Sequence, residues 1–225
     1  MKTLVVIPAR SGSKALPDKN IKLLNGKPLI HYSIEVAQKV FRNQDICVST
    51  DSQKYISFAE MTGIKVPFLR PKDLANDTAT TQEVLLHCIK FYESRDMFYD
   101  YVLLLQPTSP FRNKIHIEEI LKVADNSFDM VVSVKKTKSN PFFNLFYENN
   151  EGYLQKINNF KSTRRQDCPS VYEYNGSMYL IKVSSLKNEL ISSFIKIRKY
   201  VMSDKYSIDI DNKMDFEFAE YLIGK

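Results

Sequence analysis

Leu4-Val-Val-Ile-Pro-Ala-Arg10-Ser-Gly-Ser-Lys14-Ala-Leu-Pro-Asp-Lys19-Asn20 is an apolar run that breaks into a cationic loop. Its first half has the composition of a buried strand. Its second half places Arg10, Lys14 and Lys19 among two serines and a glycine. Cations, hydroxyls and a glycine in so short a turn suit a polyanion that comes close to the backbone, and a strand opening into such a loop before a helix is a recurrent phosphate holder. The spacing is not that of a Walker A loop, which needs two glycines ahead of Lys-Ser/Thr. Taken alone, the same residues also describe a basic surface turn.

Working outward, strand-like and helix-like segments alternate through the first two-thirds of the chain, which predicts a mostly parallel sheet with crossover helices. Thr3–Pro8 is the first strand, and Pro28 opens a helix to about Val40. Asp45–Thr50 is a second strand, with Asp51 capping a helix to about Met61. Val66–Leu69 reads as short and extended, and Asp77 as the cap of a helix whose apolar face holds Val84, Leu85, Cys88 and Ile89. Tyr101–Leu105 is almost wholly apolar, as a central parallel strand should be. Ile115–Val123 follows as a helix and Met130–Val134 as a strand. Beyond Lys135 the pattern changes. Asn144–Ile157 reads as a hairpin around Asn149-Asn150-Glu151-Gly152, and 158–167 is polar, basic and aperiodic. Tyr172–Ile181 and Ile197–Met202 read as strands and Lys213–Ile223 as a closing amphipathic helix. The expected fold class is α/β, a Rossmann-like sheet flanked by helices, as a single domain over 1–225 with an inserted lobe at about 136–171.

The chain has 225 residues, 44% hydrophobic and 26% charged, values ordinary for a globular protein with a real core. No segment approaches a membrane span, and Met1 leads into the first strand without a signal-peptide pattern, so a cytoplasmic location is the expectation. Cys47, Cys88 and Cys168 are odd in number and lack metal-like spacing, which favours reduced thiols. The net charge of +6 is scattered among acids. It suits an anionic small substrate and argues against nucleic acid, because no dense basic stripe with interleaved aromatics is present.

Three further groups bear on chemistry. Asp209 and Asp211, in Ser207-Ile208-Asp209-Ile210-Asp211, share a face if that segment is extended. Two neighbouring carboxylates suit a hard divalent ion such as Mg²⁺ that also meets substrate phosphates, or they lie exposed at a strand end. Gln106-Pro107-Thr108-Ser109-Pro110 follows a central strand at its carboxyl end, where open α/β sheets bind ligands. Its amide and hydroxyls, held by two prolines, suit a polyhydroxylated ligand. Arg70-Pro71 and the helix start at Asp77-Thr78-Ala79-Thr80-Thr81 lie near the same edge. His31, His87 and His116 all fall on predicted helices and read as packing residues.

As an ordered set, these blocks resemble the cytidylyltransferases that activate nonulosonic acids, above all bacterial CMP-sialic acid synthetases. The matching pieces are Pro8-Ala9-Arg10 with Gly12-Ser13-Lys14, Pro17, Lys19 and Asn20; Ser49-Thr50-Asp51; Arg70-Pro71; Asp77-Thr78; Leu105–Pro110; Asn175-Gly176; Tyr179; and Asp209-Ile210-Asp211. The resemblance implies that CTP and a nine-carbon 2-keto sugar acid give a CMP-sugar and pyrophosphate. It implies a homodimer, with the inserted lobe reaching toward the other subunit. Arg10, Ser13, Lys14, Lys19 and Asn20 would hold phosphates and ribose, and Arg70, Ala79 and Thr81 the cytosine. Gln106, Thr108, Ser109, Arg165, Asn175 and Tyr179 would face the sugar, Asp209 and Asp211 would hold Mg²⁺, and Arg10, Lys19 and Asp211 would carry the chemistry. Departures from the family pattern, at Ser11, Ala15, Pro141-Phe142-Phe143 and Glu173-Tyr174, fall mainly on the sugar side. The rival acceptors are legionaminic, pseudaminic or eight-carbon Kdo-type acids. More distant rivals are a glycosyltransferase and a nucleotide-binding module without catalysis.

Overall fold

The computed structural model describes residues 2–13, 15–125, 127–158, 160–161 and 164–224. In chain order the elements are β1 (Thr3–Pro8), β2 (Leu23–Leu24), β3 (Lys27–Pro28), α1 (Leu29–Gln38), β4 (Ile46–Ser49), α2 (Gln53–Glu60), α3 (Thr81–Glu93) and β5 (Tyr101–Leu105). They continue with α4 (Lys114–Lys122), β6 (Met130–Lys136), β7 (Phe146–Glu148), β8 (Leu154–Lys156), β9 (Tyr172–Lys182), α5 (Val183–Asn188), β10 (Ile197–Val201) and α6 (Lys213–Ile223).

Six strands form one sheet in the order β10-β6-β9-β5-β1-β4. β1 lies parallel to β4 and β5, and β10 parallel to β6, while β9 runs antiparallel between β5 and β6. The sheet is therefore mixed, with a single reversed strand. Alternation sorts the side chains onto two faces. Val5, Ile7, Leu103, Leu105 and Leu180 pack toward α1, α2 and α4. Leu4, Val6, Val102, Leu104 and Ile181 pack toward α3 and α5. With both faces covered, the central strands carry no polar alternation, which is why they read as continuous apolar runs. Leu16, Leu24, Leu29, Ile210, Phe216 and Ala219 form a third cluster. It fastens the loop after β1 to the segment before α6.

The helix starts depart from the sequence reading. Pro28 is the N-cap of α1 rather than part of its first turn. Ser52, not Asp51, caps α2, and Thr80, not Asp77, caps α3 in a reciprocal box with Glu83. Both displaced acids serve tertiary contacts instead, an option that spacing cannot reveal. Residues 66–69 form no strand, and neither does the 207–211 segment, so the strand geometry expected to align Asp209 with Asp211 is not present. Asp209 is mostly buried while Asp211 points outward with its side chain 75% exposed. The 144–157 hairpin forms as read, with β7 and β8 paired and Gly152 at φ +84°.

β1, β4 and β5 all end at one edge, and β1 pairs with β4 on one side and β5 on the other. This is a point where the strand order reverses, the usual place for a ligand crevice in an open α/β sheet.

Candidate active site

At that edge lies a cavity of about 380 Å³, lined by Arg10, Ser13, Lys19, Asn20, Arg70, Ala79, Thr81, Gln106 and Thr108 among others. The structure thus brings together every expected nucleotide residue that it describes. Lys14 lies outside the described residues.

Each wall is built by backbone-fixing contacts. Ser11 donates through its N–H (2.9 Å) and hydroxyl (2.8 Å) to Asp51, pinning the cationic loop to the end of β4. Asn20 is buried and its amide donates to the Arg10 carbonyl at 3.1 Å. The Arg10 guanidinium pairs with Asp77 at 2.8 Å and donates to the Asn76 carbonyl at 3.2 Å. Asn76 in turn accepts from the N–H groups of Thr78 and Ala79, which shapes the approach to α3. Arg70 is 4% exposed. Its Nε donates to Ser49 Oγ at 2.9 Å and its Nη2 to the Ser49 carbonyl, while burial pulls its pKa down.

Lys19 joins the two ends of the chain. Its ammonium donates to the Ile210 carbonyl at 2.7 Å and lies 3.3 Å from Asp211. Ile210 N–H donates to the Thr108 carbonyl at 2.9 Å, so the acid segment docks on the loop after β5. Across that junction a second cavity of about 470 Å³ is lined by Lys135, Lys136, Lys138, Glu173, Ser207 and Asp209, among others. Arg165 sits in a 3-10 turn of the lobe and donates to the Lys138 carbonyl at 3.0 Å, on the rim of this second cavity.

Three of the expected sugar-facing residues, Ser109, Asn175 and Tyr179, line neither cavity. Ser109 is completely buried. Asn175 is 3% exposed with both ends of its amide engaged inside the protein. Tyr179 packs edge-on against Tyr174, with ring centroids 6.0 Å apart, and burial raises its pKa.

Sequence reading missed Arg112. It is 4% exposed and donates to Ser177 Oγ (3.2 Å), Ser33 Oγ (3.1 Å), the Ser109 carbonyl (2.7 Å) and the Gln106 carbonyl. Burial lowers its pKa to about 9, so it stays charged at neutral pH, with Asp209 as the neighbouring opposite charge. The only signal was an arginine directly after the turn Pro110-Phe111, and nothing in a sequence says that such a cation is buried.

A divalent cation fits the acids. Asp209 Oδ1 is buried without an aligned hydrogen-bond partner, as is the Thr108 hydroxyl beside it. Burial, with Asp211 acting the same way, raises the Asp209 pKa against the opposing pull of Thr108, Lys19 and Arg112. An orphaned carboxylate oxygen next to an exposed carboxylate is a hard-oxygen donor set. Among the described residues no group of three or more His, Cys, Asp or Glu could hold a metal. Mg²⁺ here would therefore take its remaining ligands from phosphate and water, as it commonly does.

A mixed sheet with a cation-lined cavity at its switch point has the build of a nucleotide-binding α/β protein. Comparison makes the class specific: a profile of the cytidylyltransferase family matches residues 4–223, and the chain belongs to that family. It is 36% identical over 226 residues to the CMP-N,N'-diacetyllegionaminic acid synthase of Legionella pneumophila, covering 99% of this chain and 97% of that one. It is 37% identical over 223 residues to an N-acylneuraminate cytidylyltransferase of Streptococcus agalactiae. That match covers 96% of this chain but only 52% of the streptococcal protein, so the chain spans about half that relative's length. In fold it resembles a CMP:2-keto-3-deoxy-manno-octonic acid synthetase solved with CTP, at TM-score 0.74 and 19% identity over 100% of this chain and 99% of that one.

Proposed function

We propose that this protein transfers CMP from CTP to the anomeric hydroxyl of a sialic-type nonulosonic acid, releasing pyrophosphate. The observation that carries the reading is the junction of two cavities. One is lined by Arg10, Lys19 and Arg70, the other by lysines, and they meet where Thr108, Ile210 and Asp209 touch. A triphosphate suits the first cavity, with the pyrimidine near Arg70, Ala79 and Thr81. An acidic sugar suits the second, with its carboxylate toward Lys135, Lys136 and Lys138.

In phosphoryl transfer the protein mainly positions groups and stabilises charge. Arg10 and Lys19 would neutralise the charge growing on the α-phosphate oxygens. Mg²⁺, held by Asp209 and Asp211, would add charge neutralisation at the phosphates when bound. Asp211, exposed at the mouth, would accept the proton of the attacking hydroxyl. Thr108, at the junction of the cavities on the loop fixed by Arg112, would orient the acceptor, and Gln106 would reach it from the nucleotide side.

The near full-length similarity to the legionaminic acid enzyme keeps that acceptor as the second reading. The protein would act as a homodimer in the cytoplasm. The dimer reading is supported by the exposed apolar residues of the lobe, including Phe146, Tyr147, Tyr153 and Leu154. Among the described residues no helix is long and apolar enough to cross a membrane.

The test is pyrophosphate release with CTP, UTP or ATP, Mg²⁺, and a panel of nonulosonic and eight-carbon acids. Turnover with CTP and a nine-carbon acid is the expected result. Equal turnover with UTP or ATP would defeat the base assignment, and turnover of only the eight-carbon acid would defeat the sugar assignment.

A further inference from the structure

The pairing of β6 with β9 is interrupted. Val132 pairs with Tyr179 and Val134 with Tyr174, so Ser133 alone faces the four residues Asn175–Met178. Such a bulge disrupts the ladder and re-aims the chain, and bulges are common next to active sites. This one is held by buried hydrogen bonds. Ser133 donates to Asn175 Oδ1 at 2.6 Å and accepts from Met178 N–H at 2.8 Å. Asn175 Nδ2 donates to Ser207 Oγ at 2.9 Å, and Ser207 donates to the Ser203 carbonyl at 2.9 Å. Arg112 secures the far side through Ser177. The bulge therefore grips the turn that leads into Asp209.

Gly176 completes the contact. It has φ +71°, and a Cβ added there would lie 2.6 Å from Asp209 Oδ2 and 3.1 Å from Asp209 Cγ. The carboxylate rests directly against the glycine backbone. Two separate requirements thus fall on one residue, a left-handed backbone and the absence of a side chain.

We propose that the Asn175-Gly176 bulge is a positioning device for Asp209: Asn175 holds the 203–207 turn while the bare backbone of Gly176 sets where the carboxylate sits. Asn175 and Gly176 then act on the reaction through Asp209 and do not touch the sugar. The proposal rests on the reading of Asp209 as a site carboxylate. A group held by packing and buried hydrogen bonds is the preorganised kind that needs no rearrangement when the substrate arrives.

A thermal melting cycle without metal or substrate tests the positioning by itself. Gly176→Ala should lower the melting temperature roughly twice as much in the native background as in Asp209→Ala, because removing the carboxylate relieves the clash and leaves only the backbone strain. Equal losses in both backgrounds would overturn the proposal. If Gly176→Ala fails to fold while the double variant folds, that is the expected result in its strongest form. Kinetics of Ser133→Ala decide the case should both fail. Ser133 is fully buried and lines neither cavity. Its removal should lower kcat while leaving the acceptor KM within about twofold. A raised acceptor KM with unchanged kcat would make Asn175 a sugar contact and overturn the proposal. The activity of Asp209→Ala alone tests the underlying reading: full activity there would remove Asp209 from the site while leaving the melting cycle interpretable.

Discussion

The cleft and the inserted lobe are built on opposite terms. Around the cleft three cations meet the protein's own acceptors: Arg70 on Ser49, Arg112 on four partners, Lys19 on Ile210 and Asp211. In the lobe, apolar groups face solvent. β7 and β8 are exposed throughout, and Tyr153 and Leu154 are 68% and 71% exposed. A two-stranded ribbon is marginal in water without further packing. The contrast teaches that contacts within the chain hold the cations of the cleft, whereas the lobe's ribbon leaves its apolar side chains uncovered.

The sharpest way to break this contrast is at Lys19. Lys19→Ala should lower kcat/KM by about 10²-fold or more, the scale of removing a transition-state donor. Near-normal kinetics would reduce the cationic loop to a fastening for Ile210. Next in size is Arg112→Met. It leaves the Ser109 carbonyl and the Ser33 and Ser177 hydroxyl oxygens without their donor, at about 1–3 kcal/mol for each buried group left unpaired, while the Gln106 carbonyl keeps the Ser109 N–H and the Ser33 hydroxyl. Thermal melting should show a loss of several degrees, far more than Arg10→Ala, whose exposed pair with Asp77 is worth at most about 1 kcal/mol. Equal melting temperatures for the two arginine variants would show that the buried network is dispensable.

On the lobe side, light scattering should give a dimeric mass at micromolar concentration, and Tyr147→Asp with Leu154→Asp should shift it toward monomer with CTP binding retained. A monomeric native protein would remove the reason offered for the exposed aromatics. The smallest effect belongs to the cap of α3. The Thr80 N–H and hydroxyl hold the Glu83 carboxylate below its ordinary pKa. A depressed carboxylate pKa stabilises the fold above the unfolded value, and that stabilisation is lost as pH falls through the folded one. Glu83→Gln should therefore melt slightly below the native protein at neutral pH, and the gap should close in acid. A gap independent of pH would mean that charge plays no part in the cap.

The apolar strands and the ordered blocks of polar residues were legible because each depends on local composition. β1, β5 and the β7–β8 hairpin lie within a residue or two of where their patterns put them. The roles of individual polar residues were less legible. Asp51 and Asp77 both satisfy the rules for helix caps, but residues 40 and 67 positions earlier claim them. Asn175 looked like a ligand-facing amide because a sequence cannot show that Ser133 and Ser207 already occupy it. Arg112 went unnoticed for the same reason, since its partners come from α1, β9 and the loop after β5. The strand geometry expected to align Asp209 with Asp211 is also absent, because their segment docks on Thr108 rather than on a neighbouring strand.

The third apolar cluster has a consequence for how the protein comes into being. Leu16 packs with Ile210, Phe216 and Ala219, and Lys19 bonds Ile210 across 191 positions of chain. Contacts of such separation close last, because the entropy of the intervening loop must be overcome first. During synthesis the sheet from β1 to β5 can pair while residues 209–211 are still unmade. On the function proposed above, the cationic loop would emerge early and wait without its acids, so a nascent chain able to attract a triphosphate would still be unable to use it until the final helix folds back.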